Sequence, residues 1–141
     1  MGAATVMMTS GESLPDNVKL VIQDCGYTSV YNEMAFQIKR LFKLPAFPII
    51  HATSLYAKLR TGFRFKEASC INQIKKNRLP ILMIHGEADK FVFYFMLDEL
   101  MYAANEPKEA YHVPDAKHGG AYNVDPEKYT SVITEFVNKH L

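Results

Sequence analysis

Two side chains in this sequence stand where acid–base chemistry would need them, Asp89 and His118. Asp89 closes the stretch LPILMIHGEAD at residues 79–89, and His118 lies in DAKHGGAY at residues 115–122. A carboxylate that accepts a hydrogen bond from an imidazole fixes the ring tautomer and stabilises the charged ring. The other ring nitrogen is then free to take and return a proton. The plainer reading of His118 is a loop histidine capping the next element. The two glycines after it and the carboxylate upstream favour the acid–base reading. Asp115 reads as a turn residue, and His85, inside a strand-ending His-Gly, as structural. His51, His112 and His140 have no convergent partners in the sequence.

The elements that must position Asp89 and His118 follow from the apolar pattern. Ile81 to Ile84 form an unbroken apolar run between Pro80 and His85-Gly86, which suits a strand buried on both faces of a parallel sheet. In such sheets functional groups gather just beyond the carboxyl ends of the strands, where Asp89 falls. Further strands are predicted over 18–24, rich in β-branched residues, and over 108–113. Helices are predicted over 2–9, 30–42, 49–60, 67–76, 91–105 and 124–141. The second has Val30, Met34, Ile38 and Phe42 at helical spacing, with Thr28 or Ser29 as cap and Glu33 as the acid of a capping box. Lys39, Arg40 and Lys43 sit at its end, as the helix dipole favours. Asp125 followed by Pro126 is a helix start. The order of elements implies about three parallel strands covered on both faces, an α/β architecture.

A carboxylate after one strand and a histidine after the next is the chain order of a Ser-His-Asp hydrolase. On LPILMIHGEADKFV and AKHGGAY, supported by VIQDCGYTS, the chain resembles the C-terminal half of an α/β-hydrolase of the esterase/lipase kind. The resemblance covers essentially the whole chain and implies a single partial domain over 1–141, with a cap or lid of helices over 28–66. It also implies the triad base at His118 and the triad acid at Asp89, preferred over Asp24 after the preceding strand, where some members of that family carry it. Met1-Gly2-Ala3-Ala4-Thr5 matches the end of the G-x-S-x-G nucleophile elbow. The serine would then precede Met1, and the Met1 backbone would supply one oxyanion donor in a full-length form. The family often has a proline where this chain has Phe93. The implied function is hydrolysis of carboxylic esters or related acyl substrates. The chain lacking the nucleophile is expected to be inactive in isolation. A different reading is a non-catalytic half-fold that binds or assembles, pairing with another chain or with itself through an exposed sheet edge.

Composition narrows the classes. With 16 basic and 15 acidic residues the net charge is near zero, which makes no case for nucleic acid. Cys25 and Cys70 are too few for a disulfide scaffold and have no partners at metal-ligand spacing. No cofactor and no metal are expected. No apolar run reaches the length of a bilayer span, and the N-terminus lacks the basic start of a signal peptide. A cytoplasmic protein without a membrane partner is therefore expected, with any targeting signal in the absent front half. Met34, Phe42, Phe47, Phe63 and Phe65 could line an acyl pocket, although ordinary packing is the commoner role for any one of them.

Overall fold

The computed structural model describes all 141 residues. Its centre is strand β2, Ile81–Gly86, every residue of which is buried. Strand β1, Val21–Asp24, lies on one side of it and strand β3, Lys108–Val113, on the other, both parallel to it. Asp24 is level with Ile84, and Gly86 with Val113, so the three carboxyl ends open at one edge of the sheet. The expected three-stranded parallel α/β sheet is what the chain builds.

Alternation along β2 explains why the run is apolar throughout. Ile81 and Met83 point into one core, built with Ala4 and Met7 of helix α1 (Gly2–Ser10). Leu82 and Ile84 point into the other, with Val113, Ala116 and Phe136. A strand with two buried faces has no position for a polar side chain except one whose hydrogen bonds are met inside. The strand extends through His85 and Gly86, which the sequence placed as its closing residues.

Several boundaries differ from expectation, each for a local reason. β1 begins at Val21 rather than residue 18, because the Val18 N–H is turned to Pro15 O. Helix α2 spans only Val30–Gln37; a wider π-type turn, Ile38–Phe42, follows and ends at Lys43 with φ 57°. Helix α3 is Ile49–Thr61, stopped by Gly62 at φ 86°. Helix α4 contracts to Cys70–Ile74, capped by Ser69, whose Oγ accepts the Asn72 N–H. Helix α5 starts at Phe95 and runs to Ala103, since residues before it are drawn into a turn around Asp89. After a separate short helix, α6 (Ala121–Val124), the closing helix α7 (Pro126–His140) starts two residues later than expected. Asp125 caps α7 through the Lys128 N–H, and Pro126 stands where no donor is needed.

Residues between β1 and α4 leave the body and return to it at one place. Ser29 and Ser69 form an antiparallel bridge, and Val30 N–H and Ile71 N–H donate to Ala68 O and Thr28 O. The arm beyond this clasp holds α2, the wide turn and α3. No helix is long and apolar enough to cross a membrane.

Candidate active site

Asp89 sits in the turn directly after β2, its N–H bonded to Gly86 O. It is only 3% exposed. Its carboxylate is saturated: Oδ1 accepts the N–H groups of Phe91 (2.8 Å) and Val92 (3.0 Å), and Oδ2 stands 2.7 Å from His118 Nδ1. His85 Nε2 approaches the same Oδ2 at 3.5 Å. Burial alone would push this carboxyl up. The hydrogen bonds from His85, His118 and the Phe91 N–H outweigh it and hold the acid at about 2.

His118 reaches Asp89 from the loop after β3. Two left-handed residues shape that loop, Asp115 at φ 59° and Gly119 at φ 65°. Ala116 is fully buried beneath it and accepts the Ala88 N–H through its carbonyl, which ties the two functional loops together. That approach is why position 86 is glycine: a Cβ there would collide with the Ala116 carbonyl. The His118 ring packs against Phe91, centroids 5.0 Å apart, and its side chain stays 40% exposed. Since Asp89 is an acceptor, Nδ1 carries the proton and Nε2 presents its lone pair.

His118 lines a mostly apolar cavity of about 180 Å³, together with Met1, Tyr27, Val30, Met34 and Phe91. Glu33 lines it as well. The sequence suggested that Glu33 reaches back over the α2 cap, yet Ser29 Oγ takes the Asn32 N–H and Glu33 turns inward. It is 6% exposed, its Oε1 accepts from Gln37 Nε2 at 2.6 Å, and its Oε2 has no partner. Burial pushes its carboxyl above the usual range. A buried carboxyl without a cation is not legible from sequence, because one residue along a helix decides whether a side chain faces solvent or core.

Asp24, the alternative acid, is engaged elsewhere: Oδ1 accepts the Cys25 thiol at 2.9 Å and Oδ2 the Tyr129 hydroxyl at 3.2 Å. His85 is fully buried, its Nε2 bonded to Val92 O at 2.9 Å, so it donates and cannot serve as a base from that nitrogen. Contrary to expectation, other histidines do find partners. His112 Nδ1 stands 2.5 Å from the Tyr94 hydroxyl, and His140 approaches Glu109. Of the residues considered for an acyl pocket, Met34 lines the cavity; Phe42 and Phe47 are exposed on the arm.

Cys25, His85 and Asp89 bring three donor atoms within 4.8 Å of one another. Their chemistry does not suit a cation. The Cys25 thiol is pushed up to about 12, by burial first and then by its bond to Asp24, so no thiolate is offered. The Asp89 carboxylate and His85 Nε2 are already spent on hydrogen bonds, which leaves only the buried His85 Nδ1 without a partner.

No known family profile matches the chain. It is 26% identical over 138 residues to the uncharacterized protein YqkD of Bacillus subtilis (strain 168), covering 98% of this chain and 45% of that protein. Among solved structures it superposes on a Pyrococcus furiosus esterase with a TM-score of 0.70 and 21% identity, over 99% of this chain and 50% of that one. The esterase domain of a Rhodothermus marinus protein gives a TM-score of 0.69 at 18% identity, over 99% and 57%. A Pyrococcus horikoshii acylaminoacyl peptidase gives 0.69 at 19%, over 99% and 23%. The chain thus spans about half the length of YqkD and of the two esterase structures, and its fold is a partial α/β-hydrolase fold.

Proposed function

We propose that this chain carries the acid and the base of a serine-hydrolase site acting on carboxylic esters or related acyl substrates, with Asp89 as acid and His118 as base. One observation carries the reading: a buried, fully hydrogen-bonded carboxylate 2.7 Å from Nδ1 of His118, a residue that lines an apolar cavity. In this reading His118 Nε2 takes the proton of an attacking serine hydroxyl as its oxygen bonds to the acyl carbon. His118 then returns that proton to the leaving oxygen as the ester bond breaks. Asp89 stabilises the imidazolium between the two steps. Met1 also lines this cavity, and in this reading its backbone supplies an oxyanion donor in a longer form.

No serine of this chain lines the His118 cavity. Ser29 and Ser69 cap helices, Ser54 accepts the Phe65 N–H, and Ser10 donates to Met7 O. The nucleophile in this reading comes from outside these residues, and the 141-residue chain by itself is inactive. Loss of a triad nucleophile or base costs on the order of a millionfold in rate. The test is p-nitrophenyl acetate hydrolysis by this chain and by a form extended upstream of Met1. Turnover by the extended form alone, abolished by His118→Ala, supports the reading. Activity of the short chain that survives His118→Ala would overturn it.

A second reading rests on β1, which pairs with β2 on one side only. Its free edge could take another chain, and a homodimer formed there would make the half-fold an assembly module. Light scattering at rising concentration decides it, since a strict monomer contradicts edge pairing.

A further inference from the structure

We infer that the arm between β1 and α4 docks on an anionic lipid bilayer. The inference goes beyond the acyl chemistry proposed above and does not depend on it. Its first support is charge. Residues 34–66 hold seven of the 16 basic side chains and none of the 15 acidic ones. The rest of the chain is therefore net acidic, and the near-zero total conceals a strongly basic arm. Lys39, Arg40 and Lys43 belong to the α2 side, while Lys58, Arg60, Arg64 and Lys66 belong to α3 and the segment after it. Six of the seven are exposed, and none forms a salt bridge.

The second support is apolar exposure on the same arm. Of 17 exposed large apolar side chains, nine fall within these residues. Phe42 is 67% exposed, Phe47 70% and Leu59 79%. Helix α3 buries only Ile50 and Ser54 of its 13 residues, so most of its surface has no partner in this chain. An arm that interleaves aromatic and aliphatic side chains with these cations, and whose only acids are the buried Glu33 and Glu67 at its base, satisfies both features at one surface. The cations meet anionic headgroups, and the apolar side chains enter the acyl boundary. No spanning helix is needed for this, so the absence of an apolar run in the sequence does not bear on it. A second copy of the chain is the competing occupant, since the body is net acidic. A protein partner would have to match the basic and the apolar groups residue by residue, which a fluid bilayer need not do.

The probe is flotation of the full chain with vesicles of phosphatidylcholine, pure or mixed with phosphatidylglycerol. The chain is expected to float with the mixed vesicles and not with pure phosphatidylcholine, and to be released by about 0.5 M salt. Each basic residue near such a surface contributes roughly fivefold in partition. The variant Lys39→Gln/Lys43→Gln/Lys58→Gln should therefore bind about a hundredfold more weakly. Phe47→Ser/Leu59→Ser should weaken binding while leaving the far-UV circular dichroism unchanged, because both side chains are exposed. Absence of binding to mixed vesicles overturns the proposal. So does partition that the triple variant leaves unchanged. A dimer by light scattering that the triple variant dissociates, without any vesicle binding, assigns the arm to a second copy and overturns it too.

Discussion

Replacing Asp89 by Asn removes the charge on which the site is built and leaves the side-chain volume almost unchanged. The carboxyl is held at about 2 against an ordinary 3.8. That difference corresponds to about 2 kcal/mol of folded-state stability. The sign follows from proton counting. Between these two values the unfolded chain binds more protons than the folded one, so stability falls as pH falls. The contribution is complete above about pH 4 and is lost by about pH 2. An amide also brings a donor to the place where His118 Nδ1 and His85 Nε2 both point at Oδ2. His118 Nδ1–H then loses its acceptor while His85 Nε2 keeps Val92 O, or the amide turns and the Phe91 and Val92 N–H groups lose theirs; either adds about 1 kcal/mol. Urea unfolding followed by circular dichroism should show Asp89→Asn destabilised by about 2–3 kcal/mol near neutral pH. The gap between the two proteins should narrow as pH falls from about 4 to about 2. A variant as stable as the parent at neutral pH would refute the claim that the histidines and the turn N–H groups hold this carboxylate in its charged form.

Gly86→Ala should lower stability by about 2 kcal/mol or more in thermal melts, because its Cβ would meet the Ala116 carbonyl of the loop that carries His118. Glu33 shifts the opposite way to Asp89. Its raised carboxyl means the folded state holds the proton more tightly, so its stabilising effect is present at low pH and fades as pH rises. Glu33→Gln should abolish that decline, which melts at about pH 4 and about pH 8 will compare. Cys25 and Cys70 are buried, with thiols raised to about 12 and about 11. Ellman's reagent should therefore label neither in the native chain and both after denaturation, and rapid native labelling would contradict this burial.

The central strand was legible because its signal is composition: an apolar run bounded by Pro80 and Gly86 has few other homes. Asp89 and His118 were legible because each follows a strand and the chain order of the pair is distinctive. Boundaries were less so. Phe91 to Tyr94 carry the apolar content of a helix, yet Asp89 takes the first two of their N–H groups and delays the start of α5 to Phe95. The helix over 30–42 reads as continuous because periodicity cannot register the one-residue widening at Ile38–Phe42. The charge of the arm was present in the sequence but hidden by the total. Only the exposure of Phe42, Phe47 and Leu59 shows that the arm carrying the basic residues also leaves large apolar side chains uncovered.

The most direct test of the account is the tautomer of His118, read from imidazole nitrogen NMR on this chain above the pH at which the ring deprotonates. The geometry predicts a proton on Nδ1, bonded to Asp89, and a bare Nε2. In Asp89→Asn that preference should weaken or reverse. A parent ring protonated at Nε2, or one indifferent to the Asp89 substitution, would contradict the acid–base pairing on which the proposed function stands.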